Sequence, residues 1–466
     1  MLFCSMTFIY IFLPILCIIY FFSKNKYHNF ILLAASIIFY AWGEPKYLAV
    51  MFLSIIINYL GAILIDTFKK YKTYFLIISI LGNLGLLFYF KYFNFLTENL
   101  TKLFNFNIDP IHVILPLGIS FYTFQAMSYL IDVYKGEFKA QKNLYKLALY
   151  ICLFPQLIAG PIVKYHDIAP QIENREENFD KVTLGIKRFI IGLSKKMLLA
   201  NNLGIIAEKI FSQQPDSFSP LIGWLGAFTY SMQIYFDFSG YSDMAIGLGL
   251  IFGFKFMENF NYPLISKSVS ELWKRWHISL STWFKYYVYI PLGGNRVSKA
   301  RNIFNILFVF FLIGLWHGAS WNFVLWGLLY GIFILFEKAT GLYKESDKLV
   351  VNILKNIYTI IIFVLAIVFF RTEDLNYIYA YLKNMFGLIP VHNIQYTFTY
   401  YMDNLDILIF ISGLLCAFPI FSKMLYINPE RKFLKFFVNS WLLVLFILST
   451  AFIASSTYNP FIYFRF

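Results

Sequence analysis

The most constraining feature of the sequence is the apolar stretch from Ile303 to Phe336, which has no acidic or basic residue except His317. A stretch of this length crosses a bilayer once with residues to spare, or enters and leaves it as a broken pair of helices. Because an ionisable group is costly in hydrocarbon, it persists mainly where it faces a cavity or a polar partner. A structural imidazole bonded to a backbone carbonyl is the plainer interpretation. Trp316, Gly318 and Trp321 weaken it, because bulky rings beside a glycine are more typical of the wall of a slot.

A second polar region, from Ser266 to Arg301, contains another histidine, His277. On a single helix, Trp273, His277, Leu280 and Phe284 share one face, since they follow one another at intervals of three and four residues. Basic and hydroxyl side chains occupy another side. The pattern predicts an amphipathic helix at a membrane surface or at the lip of a cavity.

The composition places the chain among polytopic membrane proteins. Hydrophobic residues make up 59% of its 466 residues and charged residues only 14%, which is not typical of a soluble domain. The chain has a net charge of +14, and in a membrane protein such an excess of basic residues usually lies in the cytoplasmic loops. Nucleic-acid binding is not expected, because no basic soluble domain is present. The lipid bilayer is therefore the first expected partner.

The four cysteines are scattered and form neither a close pair nor a metal-type spacing: Cys4, Cys17, Cys152 and Cys416. We therefore predict no disulfide framework, no zinc site and no catalytic cysteine.

The sequence predicts an all-α chain with roughly ten to twelve membrane segments. The first, Leu2 to Phe22, has no basic residue before it but is followed by Lys24 and Lys26, so we expect a retained span with its N-terminus outside. Several later segments are short or interrupted, as the segment Leu221 to Phe256 is at Ser239-Gly240. Broken helices at membrane depth must be buried in protein or line an aqueous cavity. No repeat relates the two halves.

Several motifs together resemble the membrane-bound O-acyltransferase family, in its bacterial alginate O-acetyltransferase branch. That branch also includes peptidoglycan O-acetyltransferases and, more distantly, the teichoic-acid D-alanyl transfer protein. The chain departs from the branch at Lys285-Tyr286, where an Arg-Asp pair is usual. The motifs are LPLGISFYTFQAMSYLIDVYKGE (115–137), FPQLIAGPIVKYHDI (154–168), FDFSGYSDMAIGLGLIFGF (236–254), ELWKRWHISLSTWF with YIPLGGNR (271–296), GLWHGASWNFVLWG (314–327) and NPFIYFRF (459–466).

The resemblance implies one membrane-embedded domain over residues 1–466, with N-terminal helices in 1–110, a core with both histidines in 111–337 and C-terminal helices in 338–466. It implies a ring of tilted helices around a thin centre, with a tunnel that reaches a histidine. The histidine of the family's WHG context corresponds to His317, which the resemblance makes catalytic, and the earlier one corresponds to His277.

Acyl transfer to a hydroxyl suits an imidazole base. With a reference pKa of about 6.5, an imidazole has its base form available near neutral pH, and general-base help is worth about 10² to 10⁴ in rate. His277 is expected to orient the donor, to bind the thioester carbonyl or to be an architectural partner. Lys274, Arg275 and Arg296 form a basic rim that either receives the phosphates of an acyl donor or anchors the chain at the cytoplasmic side.

Four further residues are candidates for supporting the site. Trp316 and Asn322 lie beside His317 in the sequence, and Asn322 is placed to fix its tautomer. Asp237 and Asp243 lie in an apolar stretch, where carboxylates are often functional. On a regular helix they face about 120° apart, which makes them a poor metal pair unless Ser239-Gly240 breaks the helix. A structural hydrogen-bonding role for both is favoured.

These observations predict a multi-pass acyltransferase of the bacterial inner membrane. The resemblance implies that it moves acetyl from a cytoplasmic thioester, acetyl-CoA or an acyl carrier, to a cell-surface polysaccharide such as peptidoglycan or an alginate-like glycan. No cofactor is expected to be tightly bound. An extracytoplasmic O-acetyltransferase partner is expected to finish the transfer, since the chain has no soluble esterase-like domain. The alternative is a transporter or flippase of a lipid-linked or acyl intermediate, a class that more often shows internal repeats.

Overall fold

A computed structural model describes residues 1–105, 109–392, 394, 396–420 and 432–455. Within these residues the secondary structure is helical, with no β-strand, which confirms the all-α prediction. The closing motif at 459–466 lies outside the described residues.

The helices follow one another along the chain in three groups. The first group is α1 (Leu13–Phe22), α2 (His28–Gly43), α3 (Leu48–Thr67), α4 (Lys72–Leu87), α5 (Phe93–Phe104), α6 (Ile119–Lys135), α7 (Leu144–Cys152), α8 (Phe154–Leu157) and α9 (Tyr165–Glu173). The second group is α10 (Phe179–Ser194), α11 (Asn201–Phe211), α12 (Pro220–Ile251), α13 (Val269–Arg275), α14 (Ile278–Phe284), α15 (Lys299–His317) and α16 (Trp321–Thr340). The third group is α17 (Leu349–Arg371), α18 (Leu375–Met385), α19 (Phe398–Tyr401), α20 (Asn404–Cys416) and α21 (Lys432–Ser455).

Short segments of other helix types connect or extend these helices. The π-helical segments are Phe8–Phe12, Phe88–Tyr92, Lys195–Ala200 and Lys285–Tyr289, and the 3₁₀ segments are Asn25–Tyr27, Pro45–Tyr47, Lys69–Tyr71 and Pro263–Ile265.

Among the residues that the structure describes, seven helices are long and apolar enough to cross a membrane, which confirms a polytopic membrane protein. Two shorter apolar helices, Phe8–Phe22 and Asn404–Cys416, accompany them. The count of ten to twelve segments stays a prediction. The seven are Pro45–Thr67, Lys69–Phe104, Phe179–Phe211, Lys299–His317, Trp321–Thr340, Leu349–Arg371 and Phe433–Ser455.

The chain divides into two compact units. The first comprises Met1–Phe189 and Met244–Met257, and the second comprises Ile190–Asp243 and Glu258–Phe466. Every residue that the sequence nominates for the site falls in the second unit. The single membrane-embedded domain over residues 1–466 stays a prediction.

The first unit joins two of its spanning helices through a buried pair of amides. Asn58 on α3 donates to the side-chain oxygen of Asn83 on α4 at 2.9 Å, and Asn83 donates back at 3.0 Å. Each amide also donates to a backbone carbonyl four residues earlier, at Ser54 and Ser79 respectively. The Ser54 hydroxyl lies 3.4 Å from both side chains, and polar side chains of this kind join transmembrane helices by hydrogen bonds.

Helix α12 is continuous, and the predicted interruption at Ser239-Gly240 is wrong. The helix runs unbroken from Pro220 to Ile251. Gly240 serves close packing instead, because a Cβ atom there would lie 2.7 Å from the carbonyl oxygen of Gly192 on α10. A glycine without a side chain lets two helix backbones approach at this crossing.

The apolar stretch Ile303 to Phe336 forms a helical hairpin, as the broken-pair alternative predicts. Helix α15 ends at His317, and α16 begins at Trp321 after the short turn Gly318–Ser320. The two helices run antiparallel in close contact. A Cβ atom on Gly314 would lie 2.4 Å from the Phe323 carbonyl oxygen, and one on Gly327 would lie 2.2 Å from the Phe310 carbonyl oxygen.

We expect Gly327→Ala to destabilise the protein. Its added methyl group must push α15 and α16 apart, and overpacking of this kind typically costs about 1–3 kcal/mol. The matched control is Gly85→Ala on α4, where nothing lies within 4 Å of the added atom. Thermal unfolding in detergent should show a lower midpoint for the first variant only. Equal midpoints would contradict the close approach.

Candidate active site

His317 is the last residue of α15 and is enclosed by aromatic rings. It is 1% exposed. Its ring centroid lies 4.8 Å from that of Trp326 on α16, 5.3 Å from that of Phe370 on α17 and 5.0 Å from that of the adjacent Trp316. Three helices therefore supply the walls around this imidazole. Trp321, which the sequence placed in the wall, is 51% exposed.

Trp326 and Phe370 are site neighbours that the sequence analysis missed. Trp326 belongs to the same apolar motif as His317, and its place on the inner side of the hairpin follows only once the turn at Gly318–Ser320 is known. Phe370 lies in a later span and carries no sequence signal that links it to His317. Aromatic faces of this kind exclude water and orient a ring without supplying charge.

Asn322 is buried at the start of α16. Its amide donates to the carbonyl oxygen of Phe369 at 2.9 Å, which ties α16 to the end of α17 beside Phe370. The structure thus gives Asn322 an anchoring contact near the site. Its predicted part in fixing the tautomer of His317 stays a prediction.

The prediction of a single amphipathic helix around His277 is wrong. The region instead forms two short helices, α13 and α14, separated by Trp276 and His277. His277 has φ 44° and ψ 52°, the left-handed conformation that residues with a Cβ atom rarely adopt. Trp273 is still buried, but it packs on the hairpin, 5.2 Å from Phe310 and 5.8 Å from Trp326 between ring centroids.

His277 is fully buried and is held by polar contacts on one side. Its Nδ1 atom lies 3.3 Å from Oδ1 of Asn259, and the same oxygen accepts from the backbone N–H and the hydroxyl of Ser279 at 3.2 and 2.8 Å. Asn259 in turn donates to the hydroxyl of Ser242 on α12 at 3.0 Å. Burial lowers the pKa of His277 to about 3, because the charged imidazolium is poorly solvated there.

The structure brings the two nominated histidines together. Their ring centroids lie 6.3 Å apart, and Trp316 touches both rings, at 5.6 Å from His277. Phe238 of α12 lies edge-on to His277 at 4.6 Å. The two imidazoles therefore share one aromatic enclosure, although about forty residues separate them in the sequence. Their catalytic roles remain predictions from the sequence.

A buried carboxylate anchors the segment that leads to His277. Glu337 on α16 accepts from the backbone N–H groups of Val269 and Ser270, at 2.5 and 3.1 Å, and from the hydroxyl of Ser270 at 2.9 Å. These are the first residues of α13, whose unsatisfied N–H groups need such an acceptor. Through this contact the hairpin with His317 and the element with His277 are held in one arrangement.

Asp237 and Asp243 each form an ion pair with a neighbouring lysine. Lys196 lies 2.5 Å from Asp237 and Lys195 lies 2.7 Å from Asp243, measured from Nζ to the carboxylate oxygen. Both lysines belong to the π-helical segment that follows α10. Phe238 of α12, next to Asp237, contacts His277, so these pairs position the helix that supports the site.

The basic rim lies apart from the imidazole contacts described above. Lys274 and Arg296 are exposed. Arg275 is half-buried and pairs with Glu271 at 2.8 Å, while it also donates to the carbonyl oxygen of Asn261 at 3.2 Å. Neither of these contacts of Arg275 reaches a histidine, and donor binding by the three side chains stays a prediction.

Comparison with known proteins finds a family match and relatives that cover most of the chain. A sequence model described as MBOAT, membrane-bound O-acyltransferase family, matches residues 140–371, which include both histidines. The chain is 42% identical to the probable alginate O-acetylase AlgI of Pseudomonas syringae pv. tomato, over 81% of this chain and 73% of the relative. It is 42% identical to the probable alginate O-acetylase AlgI of Pseudomonas aeruginosa, over 83% and 75%. It is 37% identical to a peptidoglycan O-acetyltransferase of Helicobacter pylori, over 83% and 80%.

We expect Lys196→Met to destabilise the protein strongly. The change leaves the buried carboxylate of Asp237 without its cation, which typically costs about 3–5 kcal/mol. Adding Asp237→Leu to the same chain should recover most of the loss, since apolar residues often replace a buried pair without cost. The measurement is the free energy of unfolding in detergent.

The control for this pair is Arg371 with Glu208, which lie 2.6 Å apart but leave the carboxylate side chain 54% exposed. Glu208→Gln should change the stability by no more than about 1 kcal/mol. If Lys196→Met costs as little, the ion pair does not hold α12 in place.

Proposed function

The chain belongs to the membrane-bound O-acyltransferase family, and from this membership and the paired histidines we propose that it acetylates hydroxyl groups of a cell-surface polysaccharide. It is a multi-pass membrane protein and an acyltransferase. The observation that carries the proposal is the placement of two buried imidazoles, from separate elements, within one aromatic enclosure. Ionisable groups in such surroundings mark functional sites because burying them is costly.

The acceptor that we propose is peptidoglycan or an alginate-like glycan. Two relatives at 42% identity have names that specify alginate O-acetylation, and one at 37% has a name that specifies peptidoglycan. Both polymers offer sugar hydroxyls as the acceptor atoms. The shared chemistry is therefore ester formation between acetyl and a sugar hydroxyl.

In the proposed step, a hydroxyl oxygen attacks the carbonyl carbon of an acetyl thioester. The new carbon–oxygen bond forms, the carbon–sulfur bond breaks, and the hydroxyl proton leaves through an imidazole to the departing sulfur, which becomes a thiol. We assign the base to His317, because it lies at the junction of α15, α16 and α17. Its aromatic walls exclude the water that would otherwise hydrolyse the thioester.

The donor and the direction of transfer complete the proposal. Acetyl-CoA or an acyl-carrier thioester on the cytoplasmic side would supply the acetyl group, with Lys274, Arg275 and Arg296 receiving its phosphates. The exposure of Lys274 and Arg296 supports this assignment, since a phosphate ligand needs accessible cations. The membrane would be the bacterial inner membrane. The hydroxyl that is acetylated at His317 would belong either to the polysaccharide itself or to an extracytoplasmic partner protein, which would then complete the transfer to the polysaccharide.

A transporter or flippase is the competing function. Such a protein would move its cargo without breaking a thioester bond. Purified protein that transfers labelled acetyl from a thioester to a soluble acceptor, in detergent and without any gradient, would exclude a pure transporter.

The direct test of the proposed function is ester-linked acetate on purified cell-surface glycan, measured for peptidoglycan and for exported polysaccharide separately. We expect deletion of the gene and His317→Ala to lower the acetate equally, because the variant has lost its base. His166→Ala is the matched control, since His166 is an exposed histidine outside the site. It should retain wild-type acetate.

Immunoblots of the membrane fraction must show that both variants accumulate. Acetate that stays unchanged on both polymers after deletion would overturn the proposed function. Full activity of His317→Ala in the presence of a clear deletion effect would overturn only the assigned base.

A further inference from the structure

We propose that Asn259 is a positioning residue that holds His277 in the tautomer with its proton on Nδ1, so that Nε2 acts as a hydrogen-bond acceptor in the site. The tautomer follows from hydrogen-bond geometry alone. Its consequence for catalysis rests on the proposed function.

The identity of the Asn259 oxygen is established by its other contacts. The atom that faces His277 also faces the backbone N–H of Ser279, which can only donate, so this atom must be the amide oxygen. The amide nitrogen is then the atom that donates to the hydroxyl of Ser242 at 3.0 Å. Because the oxygen can only accept, Nδ1 of His277, 3.3 Å away, must carry the proton.

Asn259 also fixes the backbone around His277. Its carbonyl oxygen accepts from the N–H of Ile278 at 2.9 Å, while its side chain accepts from Ser279. One residue therefore holds the two positions that follow His277, whose left-handed φ of 44° is otherwise unfavourable. Asn259, His277 and Ser279 are all buried, so these contacts are not shared with bulk water.

The rings beside His277 restrict its orientation. Phe238 and Trp316 both lie edge-on to it, at 4.6 and 5.6 Å between ring centroids. With the ring plane restricted and Nδ1 directed at Asn259, Nε2 is directed away from Asn259. A partner that orients a functional imidazole in this way typically affects activity about 10- to 100-fold when it is lost from a metal site, and a wrong tautomer in a catalytic triad costs about 10⁴.

This tautomer narrows the part that His277 can play in acyl transfer. A neutral ring with its proton on Nδ1 has a lone pair on Nε2 and no proton there to donate. It therefore cannot stabilise the thioester carbonyl by donating from Nε2, which was one of its expected roles. In the proposed reaction Nε2 accepts a hydrogen bond, and His277 stays neutral beside His317, which takes the proton.

The tautomer can be measured without an activity assay. The chain has six histidines, so ¹⁵N-histidine labelling with magic-angle-spinning NMR in lipid gives a tractable spectrum. Comparison with His277→Gln assigns the His277 signals. We expect a protonated Nδ1 and a non-protonated Nε2 in the wild type, retention of this pattern in Asn259→Asp, and its loss in Asn259→Leu. A protonated Nε2 in the wild type, or no change in Asn259→Leu, would overturn the proposal.

The kinetic arm uses labelled acetyl transfer by the purified full-length protein. We expect Asn259→Leu to lower kcat by about 10- to 100-fold with little change in the KM for the thioester, and Asn259→Asp to restore kcat to within a few-fold. The matched control is Asn384→Leu, another fully buried asparagine of the second unit, whose amide donates to the Phe218 carbonyl oxygen at 2.9 Å. It should lose stability but keep kcat and the His277 signals.

The two arms separate failure of the positioning role from failure of the proposed function. If Asn259→Leu lowers kcat no more than Asn384→Leu does, the positioning role is wrong even though acyl transfer stands. If the wild type transfers no acetyl, the proposed function fails, and the NMR pattern of His277 still decides whether Asn259 sets the tautomer.

Discussion

The cost of burying a polar group among apolar helices governs the second compact unit. A buried donor, acceptor or charge without a partner costs several kcal/mol in surroundings that water does not reach, so each such group constrains where its partner's helix can lie. Glu337 accepts a hydrogen bond from the first residue of α13, and Lys196 forms an ion pair with Asp237 of α12. The side-chain oxygen of Asn259 forms hydrogen bonds with His277 and Ser279. These contacts, rather than apolar packing alone, specify one arrangement of the helices around the two imidazoles.

Helix α12 shows how one element serves several of these contacts. Its Asp237 and Asp243 pair with consecutive lysines, while its Phe238 and Ser242 lie against His277 and Asn259. Residues four apart lie on the same helical face, so Phe238 and Ser242 both reach the site. The ion pairs on the neighbouring positions hold the helix from another side. Gly240 allows the close crossing that these pairs require.

The sequence analysis predicted much of the fold and part of the site. The membrane class could be read directly, because apolar length is a local signal. The helical hairpin was one of two alternatives for the stretch from Ile303 to Phe336, and both histidines were nominated as rare ionisable groups and from the family motifs. The partners of those residues could not be read from the sequence. Phe370, Asn259 and Glu337 become neighbours of the site only through packing. Two local predictions failed for the same reason, since the break around His277 and the continuity at Gly240 are both decided by tertiary contacts.

What the sequence determined by itself is therefore the class of protein and the kind of chemistry. An apolar stretch around a single imidazole must bury that group in a membrane protein, and its motifs resemble those of acyltransferases. Only the tertiary structure decided how the imidazoles are held. The atom of Asn259 that faces Nδ1 of His277 determines which ring nitrogen carries a proton. That is a matter of hydrogen-bond direction between residues from different elements, and periodicity along a chain holds no information about it.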